Sequence, residues 1–412
     1  MPWTTTRQRC RVFVAIIALN CCFWLAKAFG KTDDNPDILL LTPELVRRYG
    51  YPLDIHDIIT EDGYTLQLHR IPYGRNKNKK AQSETRSPIL LVHGLVGSSA
   101  DWVLTGPEKS LAYILADAGY DVWLGNNRGN IYSRNHTSLS PTDRAFWDFS
   151  YHEFGIYDLP AMVDHVLHTT GHDKIFYGGH SEGTTQFWVM TSEKPEYNSK
   201  IALMIGLAPA AFMGNIRGPI RKLAKLTYLG VWVGETFGYP ELRSRSTWGK
   251  FVLSLFCQNM VNAQFFCSNL LFLVAGINRE ELNTKDLTVI LTHLPAGASW
   301  KQVVHYGQGY IDPGQFRQFN YGEDKNLRMY NSTIPPAYQL ERITTPIALF
   351  SSDNDWLATT KDVELLSARL NNVVFHHNVP ISIPFNHYDF LWGKSSWQQV
   401  FEPILRLLTQ YQ

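Results

Sequence analysis

Short apolar runs alternate with longer stretches of helical spacing through most of this chain. Residues 89–92, 120–124, 174–177, 201–207, 346–350 and 373–375 each read as a buried strand, with helix-length segments between most of them. That alternation predicts an α/β fold, a mostly parallel central sheet with helices on both faces. Ahead of it, Asp62-Gly63 sits between two β-rich runs and predicts a hairpin turn. Beyond Asp389, Phe401, Ile404, Leu405 and Leu408 recur at helical spacing and predict a closing helix. The polar, Lys-rich stretch 74–87 reads as a solvated loop.

The alternation lapses between residues 212 and 315. This stretch is dense in apolar and aromatic side chains, among them Leu226, Tyr228, Leu229, Trp232, Phe256 and Phe265. Gln258, Asn259 and Asn262 interrupt it, which excludes a spanning helix. The expected organisation is a core in two parts, 29–211 and 316–412, with a helical cap or lid inserted at 212–315. Part of the cap's apolar surface is expected to meet a lipid.

The first residues have a different pattern. Arg7, Arg9 and Arg11 precede a mostly apolar stretch from 12 to 25, and Ala26-Lys27-Ala28 fits a small-x-small cleavage site. Residues 1–28 are expected to be a secretory signal peptide, too short in its apolar part for a bilayer. The full chain has 412 residues and a formal charge of +1. Without the leader's four unopposed cations, Arg7, Arg9, Arg11 and Lys27, the charge becomes −3. No basic excess remains to support nucleic-acid binding. Three of the five cysteines also leave with the leader, so only Cys257 and Cys267 stay. In a secretory setting, the sequons beginning at Asn135 and Asn331 become candidate glycosylation sites.

Gly179-His180-Ser181-Glu182-Gly183 has the form G-x-S-x-G. It follows the strand run 174–177 and precedes a segment able to form a helix. A sharp strand-turn-helix exposes the Ser hydroxyl as a nucleophile. That hydroxyl needs a base, and the base an orienting acid, in the chain order Ser, acid, His. Asp353 and Asp355 both follow the run 346–350, and spacing leaves the choice between them open. His387, in a loop before the closing helix, is the candidate base; His376 and His377 are rivals within a strand run. Developing negative charge needs main-chain donors. The N–H of Glu182 is one candidate, and the loop His93-Gly94-Leu95-Val96-Gly97 can supply another. No zinc-type His/Glu spacing and no G-x-x-x-x-G-K-[ST] loop occurs, so no metal or cofactor is expected.

Taken together, these motifs resemble the acid lipase family of α/β-hydrolases, the gastric and lysosomal type. The resemblance also rests on Glu61-Asp62-Gly63-Tyr64, Ser98 to Trp102, Asn127-Arg128-Gly129-Asn130, His293 to Gly297, Asp355 to Ala358 and Asn386 to Phe390. It implies Ser181 as nucleophile, Asp355 rather than Asp353 as acid, His387 as base, and Leu95 with Glu182 as oxyanion donors. It implies a cap over the site and hydrolysis of neutral lipid esters, triacylglycerol and sterol esters, at a lipid–water interface. The leader directs the chain to the secretory pathway, with an extracellular or a lysosomal destination both open. Two departures stand out. The family often has Gln where this chain has Glu182, and several relatives have Cys where it has Ala275. The implied bridge here is Cys257–Cys267. The competing readings are a non-catalytic lipid carrier that keeps the fold and a hydrolase of another acyl bond.

Overall fold

Each of the apolar runs becomes a strand of one sheet. The computed structural model describes residues 36–75, 86–242, 275–278, 281 and 284–412. The expected leader (1–28) and the expected bridge between Cys257 and Cys267 lie outside the described residues.

Among the described residues the sheet has nine strands: β1 (Asp54–Ile59), β2 (Tyr64–Ile71), β3 (Pro88–Val92), β4 (Asp121–Gly125), β5 (Asn135–His136), β6 (Ile175–His180), β7 (Ile201–Leu207), β8 (Ile347–Ser352) and β9 (Val373–Val379). Their order is β1-β2-β4-β3-β6-β7-β8-β9, with β5 paired to β2. The β1–β2 hairpin turns at Asp62-Gly63 and pairs antiparallel, with Ile59 opposite Thr65. β2 joins β4 antiparallel, and every pairing from β4 through to β9 is parallel.

Four helices cross between successive parallel strands: α1 (Leu111–Asp117), α2 (Leu159–Thr170), α3 (Glu182–Glu193) and α8 (Thr360–Arg369). Between them in the chain lie α4 (Thr227–Phe237), α5 (Thr284–His293), α6 (Trp300–Ile311) and α7 (Glu323–Tyr330), and α9 (Glu402–Gln410) closes it. α2 stops at Gly171, whose φ of 68° is the left-handed turn that glycine adopts freely. α6 starts at a capping box. Ser299 Oγ accepts from Lys301 N, and Gln302 Oε1 accepts from Ser299 N at 2.7 Å.

Two features differ from the sequence reading. The last strand runs on to Val379, so His376 and His377 lie well inside it. The closing helix is broken into Asp389–Trp392, a wider turn at Trp397–Phe401, and α9. Phe401, Ile404 and Leu408 are buried, while Leu405 is half-buried. In the stretch expected as a cap, Tyr239, Val304 and Phe319 form a small cluster of their own, separate from the main core. Phe319 and its neighbour Tyr321 come from beyond residue 315, so the chain after that limit helps to steady these helices.

The turn of the β1–β2 hairpin is held by charge. Arg128, after β4, is buried between Asp62 of the turn and Asp158 at the start of α2, and its guanidinium lies 3.9 Å from the centre of the Tyr64 ring. Asp158 has no exposure at all, and burial pushes its carboxyl up to about 6 despite the cation. Removing one partner of such a pair leaves an uncompensated buried charge. Arg128→Met is expected to cost about 3–5 kcal/mol of unfolding free energy in a denaturant titration. A loss below about 1 kcal/mol would show that Asp158 does not depend on this cation.

Candidate active site

β6 is buried along its whole length and ends on His180. The chain then reverses at Ser181, with φ 51° and ψ −114°, and enters α3 directly. A non-glycine residue in this region is strained by about 1–3 kcal/mol and persists only when its surroundings hold it. Here Ser181 N donates to Leu207 O at 3.0 Å, and Ser181 O accepts from both Thr184 N and Thr184 Oγ1. Gly183 permits the close packing that follows. A Cβ at that position would lie 2.2 Å from Val92 O of β3, which leaves no room for any side chain.

Because Val92 pairs with Gly179, the loop after β3 ends beside this turn. A Cβ on Gly94 would lie 3.1 Å from Ser181 Cβ. The loop's orientation is set by His93. Its Nε2 accepts from Asn127 N at 3.2 Å, so Nδ1 carries the proton and donates to Gly94 O at 2.8 Å. Gly97 N donates to the same carbonyl at 3.1 Å. With the Gly94 carbonyl held by two donors, the N–H of Leu95 across that trans peptide points the opposite way. The N–H of Glu182 opens α3, in the first turn, where amides have no partner inside the helix.

His387 lies in the loop between β9 and Asp389–Trp392. Its Nε2 is 2.8 Å from Ser181 Oγ and its Nδ1 is 2.8 Å from Asp355 Oδ2. Asp355 follows β8 and is fully buried; its Oδ1 accepts from Leu357 N and Ala358 N. A carboxylate only accepts, so Nδ1 carries the imidazole proton and Nε2 is free to accept from the serine. Asp353 points elsewhere. Its carboxylate accepts from Thr360 Oγ1, Asn378 Nδ2 and Ile381 N. His376 is bonded to Ser351 Oγ and His377 to Gln399 Oε1, so neither rival reaches the serine.

Three other contacts were not legible as site residues. His180 Nε2 donates to the His387 carbonyl at 2.8 Å, tying the end of β6 to the loop that presents the imidazole. Ala275 O accepts from His387 N at 3.3 Å. Gln302 of α6 donates to Glu182 Oε2 at 2.8 Å. His180 occupies the unspecified position of G-x-S-x-G, and the other two contacts come from distant segments, so no spacing marks them.

Buried titratable groups crowd the surroundings. Burial pushes the carboxyls of Asp101, Glu182 and Asp389 up to about 8 each. It pushes the imidazoles of His69 and His180 down to about 3, and that of His93 to about 4. Among the described residues no cluster of three His, Cys, Asp or Glu could hold a metal ion, and no helix is long and apolar enough to cross a membrane.

Known proteins share this arrangement of fold and sequence. A family profile described as alpha/beta hydrolase fold matches residues 87–394, and one described as partial alpha/beta-hydrolase lipase region matches residues 42–106. Lipase 1 of Drosophila melanogaster is 41% identical over 384 residues, spanning 90% of this chain and 80% of that protein. Gastric triacylglycerol lipase of Bos taurus is 36% identical over 385 residues, 92% of this chain and 94% of that protein. Lysosomal acid lipase/cholesteryl ester hydrolase of Macaca fascicularis is 36% identical over 382 residues, with the same two shares. The chain belongs to this lipase family of the α/β-hydrolase fold, and it is a carboxylic ester hydrolase.

The buried groups give stability a definite pH dependence. The three carboxyls keep protons in the folded protein up to about 8, whereas an unfolded carboxyl loses its proton near 4. Their contribution is therefore lost as pH rises through that window. The buried histidines act oppositely wherever unfolded imidazoles, half protonated near about 6.5, still bind protons that they refuse, an effect that has faded by about 7.5. Above about 7.5 the carboxyls act alone, so the melting temperature is expected to fall from about pH 7.5 to pH 8.5. A calorimetric melting temperature that is flat or rising across that interval would contradict the assignment.

Proposed function

We propose that this esterase hydrolyses the carboxylic esters of neutral lipids through Ser181, His387 and Asp355. The observation that carries the reading is the unbroken hydrogen-bonded line from Ser181 Oγ through His387 to Asp355. Ser181 Oγ attacks the ester carbonyl as its proton passes to His387 Nε2. Asp355 stabilises the resulting imidazolium and holds its ring. The N–H groups of Leu95 and Glu182 take the oxyanion, each worth about 2.7–4 kcal/mol of barrier in sites of this kind. Collapse of the tetrahedral intermediate breaks the ester C–O bond, and the alcohol leaves with the proton from Nε2. Water, activated by the same imidazole, then releases the fatty acid and restores the serine.

The names of the relatives support triacylglycerol, with sterol esters, as substrate. An exposed apolar surface on α4 supports it too. Tyr228, Leu229, Trp232 and Phe237 of α4 are all exposed, within the 212–315 stretch that we read as the cap. Asn135 and Asn331 are exposed, as acceptors of glycans need to be. Their exposure, the leader pattern at 1–28 and the two remaining cysteines, Cys257 and Cys267, support passage through the secretory pathway to the exterior or the lysosome.

Ser181→Ala is expected to lower kcat on a soluble short-chain ester by about 10⁶, because a nucleophile and base that act as a unit fail together. Asp355→Asn should lower it by about 10⁴, through the wrong imidazole tautomer. Near-normal turnover by purified, folded Ser181→Ala would remove the assignment. Emulsified triacylglycerol, sterol ester and a peptide series, assayed side by side, test the substrate class. Preference for the peptides would overturn it.

A further inference from the structure

Glu182 carries one of the two proposed oxyanion donors on its main chain, yet its side chain takes no part in the mechanism above. That side chain is 1% exposed, directly behind the nucleophile. Its surroundings fix which protons are available to it. Gln302 has its Oε1 committed to Ser299 N in the capping box of α6, so its Nε2 faces Glu182 and donates to Oε2. The other polar neighbour is the hydroxyl of Tyr306, one helical turn further along α6. Thr185 Oγ1 donates to Ala210 O, a carbonyl that can only accept. The contact of 2.9 Å between Thr185 Oγ1 and Tyr306 is therefore made with the tyrosine proton. Tyr306 then presents only lone pairs toward Glu182. The second carboxyl oxygen, Oε1, is buried and receives no hydrogen bond from the described residues.

A carboxylate there would hold one buried oxygen without a donor, beside a phenol whose proton is already spent on Thr185. A carboxylic acid carries its own proton on that oxygen and can turn it toward Tyr306, so that the donors run one way from Glu182 past Tyr306 and Thr185 to Ala210 O. We propose that Glu182 works as a neutral carboxylic acid, a positioning residue whose proton holds the first turn of α3 against α6, and that losing this proton silences the site.

The groups facing Glu182 agree with this. Tyr151 and Tyr306 are kept protonated by burial. His305 of α6 is buried and held neutral, and His93 of the β3 loop is neutral and spent on Gly94 and Asn127. The charges on the packed elements are used elsewhere: Lys301 on Asp148 and Glu153, and Glu153 also on the main chain of Ser150. The N-terminus of α3 favours a negative charge. Burial opposes it more strongly, and moves the ionisation of Glu182 up to about 8. The ionised form would place a negative charge on the residue whose N–H is proposed to receive the oxyanion.

The inference rests on the Ser181 reading, and it is tested by the pH dependence of kcat/KM on a soluble short-chain ester for the wild-type chain and Glu182→Gln. Glutamine keeps the shape, cannot ionise, and retains an N–H to give Tyr306. If only the neutral form is competent, wild-type activity falls about tenfold per pH unit on the alkaline side. In Glu182→Gln that limb moves up by at least about one unit, while the acid limb set by the imidazole stays in place. Superimposable alkaline limbs would overturn the proposal. Infrared difference spectra supply a readout that needs no activity. At pH 6, the wild-type chain and the Ser181→Ala variant should both show a carboxylic-acid C=O stretch that Glu182→Gln lacks. Its absence would show that Glu182 is ionised and refute the proposal even if the kinetic variant folds poorly. Retention of turnover by Ser181→Ala would instead refute the nucleophile and leave the infrared result standing.

Discussion

The parallel pairing of β3 with β6, with Val92 opposite Gly179, is the constraint on which the rest of the site depends. The chain order runs outward from β3 to β4 and then returns to the other side of β3 as β6. Loops after β3 and β6 therefore leave the same edge of the sheet side by side, at the point where the strand order reverses. One loop carries Leu95 and the other Ser181. Their separation is set by backbone packing rather than by side chains. The main chain of β3 occupies the space where a side chain on residue 183 would stand, and Gly94 lies directly over the serine. The strained turn at Ser181 is held because the amide before it and the carbonyl after it are both engaged.

Burial does the remaining electrostatic work. Around the serine, Asp101, Glu182, Asp389, His93 and His180 are all pushed toward their uncharged forms. Neutral groups still have direction. His93 can orient the Gly94 peptide only because its imidazole has one N–H and one lone pair, and His180 fixes the His387 carbonyl through its Nε2 N–H. A charged shell would compete with the proposed oxyanion and imidazolium, which exist only during turnover. A shell of fixed dipoles is already arranged before substrate arrives.

Much of this was legible along the chain, for reasons that differ from residue to residue. The sheet was readable because parallel strands are buried on both faces and so become continuous apolar runs. Ser181 was readable because a strained turn between strand and helix needs small residues at fixed offsets. Asp355 was not separable from Asp353 by spacing, since both follow the same strand by a few residues; direction alone distinguishes them, and direction comes from Thr360, Asn378 and Ile381 drawing Asp353 away. The extension of β9 through His376 and His377 was hidden because its exposed and half-buried positions carry no apolar run. The contact between Gln302 and Glu182 joins residues 120 positions apart and follows from packing of α6 on α3. Nothing local encodes it.

The proposed base has the hardest placement of the three proposed triad positions. Ser181 leaves β6 and His387 follows β9, three strands away in the sheet. At about 4.8 Å per strand the two exits lie roughly 14 Å apart. The chain after β9 must therefore run back across the ends of β8 and β7 to bring the imidazole within 2.8 Å of the serine. That return path is an irregular segment without a strand ladder, so its backbone groups need partners of another kind. They find them in sequence: Phe385 O accepts from Ser352 Oγ, Asn386 N donates to Asp389 Oδ2, and Tyr388 N donates to Asn386 Oδ1. The last tie is made by His180 to the carbonyl of His387 itself. Because His180 immediately precedes Ser181, the His387 loop is held relative to the strand that leads into the serine. A small shift of the sheet edge then carries both ends of the Ser181–His387 hydrogen bond together.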